Sequence, residues 1–234
     1  MLCQADYDFS EDGDFQRTCE GQPIRELGLG VACYPGVILG RDVTIAPGAC
    51  LGRPTANTGI RRQPREDGAR KTLIGDGCHI GHGVTIYQGA HIGPRCMICD
   101  GARIGPGAEL EKGVLIAQNV TVNRGAMIGS FTKVMDLAHI TGDMRIGERC
   151  FIAPGVMSAN DNSMGRANPP ETRPPIVQDD VRIGLGARIL PGVVLGRGCV
   201  IGAGAVVTDD TEPGWLYLGV PAHRVREVEM PEVE

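Results

Sequence analysis

The sequence predicts an all-β protein: a parallel β-helix of about eight triangular coils with two loop excursions. Three observations carry that expectation. Aliphatic residues recur every six positions, turn formers are abundant while aromatics are scarce, and the six-residue phase breaks at only two places. Glycine supplies 35 and proline 16 of the 234 residues, against 4% aromatics. Such a composition suits many tight turns around an aliphatic core and disfavours a bundle of long helices.

The repeat is clearest from Ile74 to Ile152. Stepping by six gives Ile80, Ile86, Ile92, Ile98, Ile104, Leu110, Ile116, Val122, Ile128, Val134, Ile140 and Ile146 between those ends. In a chain that is 42% hydrophobic, fourteen successive hits have odds on the order of one in 10⁵. Four residues after each hit comes a mostly small residue, such as Cys78, Ala90, Cys96, Ala102, Ala108, Ala126, Ala138 and Cys150. Neither the helical period nor strict alternation gives this spacing. A short strand and a tight turn, repeated, put one aliphatic and one small side chain inward per six residues. Glycines such as Gly75, Gly81, Gly93, Gly105 and Gly129 follow the aliphatic position, where a bend favours a residue without Cβ. Three segments make an 18-residue triangular coil, and stacked coils pair as parallel strands about 4.8 Å apart.

Taken in chain order, residues 1–26 carry no repeat and are expected to cap the open bottom of the prism. The phase then runs through Leu27, Cys33, Leu39, Ile45 and Leu51. It breaks over 57–73, where Arg61, Arg62, Arg65, Arg70 and Lys71 gather. This basic excursion fits either a solvated surface loop or contact with the phosphates of a nucleotide or coenzyme. The long run follows, and a second break spans 158–176, polar and stiffened by four prolines. Long loops on a regular scaffold tend to carry function. The phase resumes at Val177, Ile183, Ile189, Leu195 and Ile201, so the β-helix domain is placed at 27–225 and a tail at 226–234.

His79, His82, His91 and His139 fall at outward positions of this map. His139 stands out because Met157, one coil above it, is the last residue before the second loop leaves. Its side chain is expected beside Ser158, Asn160 and Asp161. A general base needs a neighbour to orient it, and Asp136, Asp143 and Asp161 are the candidates. Cys96 and Cys99 form a C-x-x-C, but the map puts one inward and the other outward, so no metal or redox pair is expected there. Cys78, Cys96, Cys150 and Cys199 read as small buried hydrophobes.

"IGDGCHIGHGVTI", "IGPGAEL" and "IGAGAVV" resemble the hexapeptide repeat of the left-handed parallel β-helix acyltransferases, and the likeness covers residues 27 to about 225. Phe151 to Asp161, followed by Arg166, resembles the "F-x-G-P-x-x-x-F-T-N-D-x-x-P-R" segment of nucleotide-sugar 3-N-acetyltransferases, with Ser158 and Ala159 in place of Phe-Thr. Gln118-Asn119-Val120-Thr121-Val122 is similar to their "Q-N-x-V-S-V". Matching both ends takes one extra 18-residue coil in this chain. Where the related 4-N-acetyltransferases carry "N-H-D", this chain has Asn123-Arg124-Gly125. Gly219-Val220-Pro221-Ala222-His223-Arg224 resembles the "G-N/V-P-A-K/R" ending of sugar acetyltransferases, with His223 at the usual basic position and Arg224 beside it.

The resemblance implies a homotrimer using acetyl-CoA as co-substrate, with the pantetheine arm in the groove between prisms. Under that reading His139, Asn160 and Asp161 are the catalytic candidates. Asn119, Asn123 and Arg166 would bind the nucleotide-linked amino sugar. Gly184, Gly186, Gly202, Ala203 and Arg224 would meet the coenzyme, with backbone N–H groups there able to hold the thioester oxyanion. The same glycines could equally serve only the coil corners. The γ-class carbonic anhydrases share this fold and use three histidines across an interface. This chain lacks their His pair five residues apart, and no two of the four coil histidines share an 18-residue column, so no metal is expected.

Composition bounds the partners. A formal charge of −5 disfavours a nucleic-acid or anionic-membrane surface. No apolar run approaches the roughly 18 residues of a membrane span. The first twenty residues hold six acids and one arginine, unlike a signal or transit peptide, and nine cysteines fit a reduced compartment, so a cytoplasmic protein is expected. The leading expectation is N-acetylation of an amino group on a nucleotide-linked sugar. The alternatives are an O-acetyltransferase of the same fold and a non-catalytic β-helix scaffold subunit.

Overall fold

The computed structural model describes residues 26–55, 71–167 and 171–229, together with the backbone pairing of Thr18–Cys19 against Gln22–Pro23. Every regular element among them is a β-strand, and no helix is long and apolar enough to cross a membrane. The strands form three parallel sheets, one per face of a prism. The first face runs from Glu26–Leu27 through Met97–Ile98 and Lys133–Val134 to Trp215–Leu218. The second runs from Ala32–Cys33 through His139–Ile140 to Val206–Val207, and the third from Val37–Leu39 to Val194–Leu195.

The register is the 18-residue step. Ile80 pairs with Ile98, Ile98 with Ile116, and Ile116 with Val134, all on the first face. Ile98 and Ile116 are fully buried, whereas Arg95, Arg103 and Lys112 are exposed. Two pairings show where extra chain leaves the stack: Leu39 pairs with Ile74, and Ile152 with Ile183. The second excursion leaves after the strand Met157–Ser158 and rejoins the stack at Ile176–Val177. Residues 56–70, with most of the basic cluster, and nearly all of the expected N-terminal cap lie outside the described residues.

Among the described residues the prism has nine turns and the opening strand of a tenth, one turn more than the expected eight. Ser158 and Val207 continue the six-residue phase, and Thr211 closes the ninth turn by bridging Leu195. Ser158 and Thr211 are buried at 7% exposure despite being polar, because their hydroxyls are satisfied. Ser158 Oγ donates to the His139 carbonyl at 2.9 Å and accepts from the Thr141 amide at 2.9 Å. Thr211 Oγ1 accepts from the Gly196 amide at 2.9 Å.

Glycines after the aliphatic position are there for close stacking rather than for a bend. A Cβ on Gly75 would lie 2.7 Å from the Pro94 nitrogen of the next coil. The bend itself falls two residues later, where φ is positive. Most coils use glycine there, but Asn119, Phe131, Leu137, Asp143, Arg149 and Asp180 adopt the same left-handed conformation. Asp180 is 3% exposed and is held by Arg149 and Arg197, at 2.8 and 3.2 Å. At the top, His223–Glu227 pairs antiparallel with Trp215–Leu218, and the Arg224 guanidinium stacks 4.4 Å from the Trp215 ring.

Candidate active site

The second face presents a ladder of outward side chains: Thr85, Arg103, Thr121, His139, Met157, Arg188 and Val206. Two arginines and a histidine share this column with no carboxylate. Arg103 and Arg188 each stand two strand spacings, about 10 Å, from His139 along the ladder. The sequence reading did not single out Arg103 or Arg188. Counting outward positions by eighteen from His139, as was done for the core, reaches Arg103 directly.

His139 is half-buried, and its backbone is fixed on both sides. Its N–H donates to the Val156 carbonyl at 2.9 Å, and its own carbonyl receives Ser158 Oγ. Burial pushes the imidazole pKa below its ordinary value, so the ring is neutral near pH 7. The side chain that reaches it is an amide: Asn123 Nδ2 lies 3.2 Å from His139 Nε2.

Two of the three expected carboxylates are engaged elsewhere. Asp161 turns back on its own loop, accepting from the amides of Ser163 at 2.6 Å and Gly165 at 2.9 Å. The Ser163 hydrogen bond, with those from the loop amides, holds the Asp161 carboxyl below its usual range. Asp136 accepts from the Gln118 amide at 3.1 Å on the opposite corner. Asp143, at the corner after His139, has a left-handed φ of 61°. Asn160 anchors the loop: Nδ2 donates to the Gly142 carbonyl at 3.1 Å, and its carbonyl receives the Arg173 amide at 2.7 Å. Asn123, Gly142 and Asn160 thus stack along one corner beside His139. Asn119 is exposed on the other corner, where its amide donates to the Asp100 carbonyl. Arg166 is exposed in the loop.

The residues expected to meet a coenzyme lie higher up. Gly184 and Gly202 are explained by packing, since a Cβ would meet the Ala203 nitrogen at 2.6 Å in the first case and crowd the Leu218 side chain in the second. Gly186 differs: φ is +65° and nothing lies within 4 Å of where a Cβ would be. Ala203 is exposed. Arg224 is engaged by Glu212 at 2.7 Å as well as by Trp215.

Among the described residues no three His, Cys, Asp or Glu side chains gather as a metal-binding group. His79 lies on the first face, His91 on the third and His82 at a corner. Cys78, Cys96, Cys150 and Cys199 are buried, and Cys99 is half-exposed. The Cys78 and Cys96 thiols donate to carbonyl oxygens of Gly93 and Glu111, and burial pushes the Cys150 and Cys199 thiols up to about 11. A cavity of about 460 Å³ lies on the third face between Glu109, Met127, Arg145, Glu148 and Arg197, and none of the expected site residues lines it.

Residues 71–106 and 174–209 match the family "Bacterial transferase hexapeptide (six repeats)". A Schizosaccharomyces pombe protein named as an acetyltransferase is 55% identical over 53 residues, 23% of this chain and 26% of that protein. The 2,3,4,5-tetrahydropyridine-2,6-dicarboxylate N-acetyltransferase of Staphylococcus aureus is 43% identical over 63 residues, 27% of this chain and 26% of that enzyme. The chain thus spans about a quarter of the length of these curated relatives. Among solved structures, the UDP-N-acetylglucosamine acyltransferase of Francisella novicida superposes with a TM-score of 0.69. It is 17% identical, and the match covers 84% of this chain and 68% of that one, a likeness of fold.

Proposed function

We propose that this chain, whose residues 71–106 and 174–209 match the bacterial transferase hexapeptide family, is an acyl-CoA-dependent acyltransferase acting on an amino group of a nucleotide-linked sugar. The observation that carries the reading is His139: a half-buried imidazole, neutral near pH 7 and met by an amide, in a ladder flanked by two arginines.

In the proposed reaction the amine nitrogen attacks the thioester carbonyl while Nε2 of His139 takes its proton. The tetrahedral intermediate collapses, the C–S bond breaks, and the departing CoA thiolate recovers the proton from the imidazolium. The products are the amide and free CoA. Arg103 is placed to meet a phosphate of the acceptor, since its exposed guanidinium is about 10 Å down the ladder and no acid shares that column. Asn160 and Asp161 serve by shaping the loop that walls the site. Gly186, next to open space, would admit the pantetheine arm, with Gly184, Gly202 and Ala203 forming the ledge behind it and Arg224 above. Asn119 and Arg166 would meet the acceptor from opposite sides.

A flat sheet face encloses nothing, so the donor needs a second wall, and the proposal includes a homotrimer in a cytoplasmic setting. Leu137 and Leu185, 61% and 59% exposed on the corner beside the His139 face, supply apolar surface for it. Acetyl-CoA turnover with a panel of nucleotide-linked amino sugars tests the function. Release of CoA with one of them, absent with its deaminated analogue, supports it. Acetylation of a hydroxyl would replace it with O-acyl transfer, and no CoA binding by the folded protein would reduce the chain to a scaffold.

A further inference from the structure

We infer that Asn123 is a positioning residue that sets the tautomer of His139: its carboxamide N–H donates to Nε2, leaving that nitrogen as the lone-pair acceptor and Nδ1 as the protonated one. The consequence for catalysis rests on the acyl-transfer reading; the placement itself rests on geometry.

A neutral imidazole has one donor nitrogen and one acceptor nitrogen. An amide NH₂ can only donate. With Asn123 Nδ2 at 3.2 Å from Nε2, two opposed N–H groups could not share that space, so Nε2 must accept. The contact is built into the coil register. Asn123 is held by its amide to the Ile140 carbonyl at 2.9 Å, and its carbonyl accepts from Ala126. His139 is held by the Val156 carbonyl and by Ser158. Both side chains therefore start from backbone fixed by the same stack. The neighbouring amide does not compete, because Asn160 spends its Nδ2 on the Gly142 carbonyl. This differs from the sequence expectation, which gave Asn123 to substrate binding and looked for a carboxylate as the orienting group. An amide suits a base better in one respect. A carboxylate would stabilise the imidazolium, whereas an N–H donor favours the neutral ring with Nε2 unprotonated. An arriving amine replaces Asn123 at that lone pair and gives up its proton there.

The test uses the whole protein labelled with ¹⁵N at histidine, with the His139 signals assigned by loss in His139→Gln. Nitrogen shifts distinguish the two tautomers without any substrate. The wild-type ring should show a protonated Nδ1 and a bare Nε2 near neutral pH. Asn123→Leu, of similar size but without a donor, and Asn123→Ala should both lose that bias. In the assay each should lower kcat by less than the roughly 10²–10⁴-fold expected for losing the base itself. KM for acetyl-CoA should stay unchanged. A wild-type ring protonated on Nε2, or a tautomer untouched by both substitutions, would overturn the inference. The expected tautomer in a protein that turns over no acyl donor would leave this inference standing and remove the function it serves.

Discussion

Asn123 and His139, sixteen positions apart, meet at 3.2 Å through Nδ2 and Nε2 because one coil ends its second-face strand directly beneath the other. Thr121 pairs with His139 across the ladder, and two residues beyond Thr121 the chain has turned the corner and carries Asn123 up beside the ring. The same repeat that fills the core therefore sets the geometry of the candidate site.

Ile116 is fully buried midway up the first-face column. Burial of such a side chain stabilises by about 1.5–3 kcal/mol, and a carboxylate in its place also loses its hydration. Ile116→Asp should cost more than that figure and yield little soluble protein. A variant with the parent's urea midpoint would contradict the register.

Asp180 ties two turns together just above the second excursion, through Arg149 and Arg197. The arginines are 38% and 41% exposed, so the loss on Asp180→Ala should be about 1–3 kcal/mol, below that of a fully buried pair. The Arg149 hydrogen bonds hold the Asp180 carboxyl below its usual range. A carboxylate lowered in the folded state contributes stability above its unfolded pKa, about 3.9, and loses it as pH falls through the folded value. Urea melts should show the Ala variant weaker than wild type at pH 7, with the gap narrowing below pH 4. A gap that widens on acidification would refute this.

Leu137 holds a left-handed φ of 60° while 61% exposed. That conformation costs an L-residue about 1–2 kcal/mol, and nothing in a single prism repays it with burial. A neighbouring protomer would. Leu137→Asp should convert a trimer to monomers by light scattering, and Leu137→Gly should weaken the trimer while relieving the backbone. A Leu137→Asp protein that remains trimeric would place the interface elsewhere.

Much of the prism was legible in the sequence, and for a definite reason. Each coil obeys one steric rule, so Ile98 and Ile116 could be set inward from spacing alone. Ser158 and Thr211 escaped the count of turns because they occupy core positions with hydroxyls that only their local hydrogen bonds make acceptable. His139 could be singled out by its step to Met157, but its partner could not. Aspartates look like better orienting groups on paper, and Asp161 is drawn instead to loop amides two and four residues further on in its own turn. Gly184 and Gly202 read as room for a ligand, yet the next coil fills that room. Periodicity locates backbone and leaves open where short polar side chains find their nearest donor.

The most direct test of the account is the pH dependence of His139→Ala turnover with an amino-sugar acceptor. An amine of pKa about 8 costs only about 1.4 kcal/mol to deprotonate at pH 7, so the base is helpful without being indispensable. The variant should lose about 10²-fold in kcat at pH 7, near the low end for general-base catalysis, with KM for acetyl-CoA unchanged. Raising the pH to 9 should recover part of that loss, because the amine then arrives neutral. Unchanged turnover at pH 7 in the folded variant, or a loss of about four decades that no rise in pH relieves, would contradict N-acyl transfer through His139.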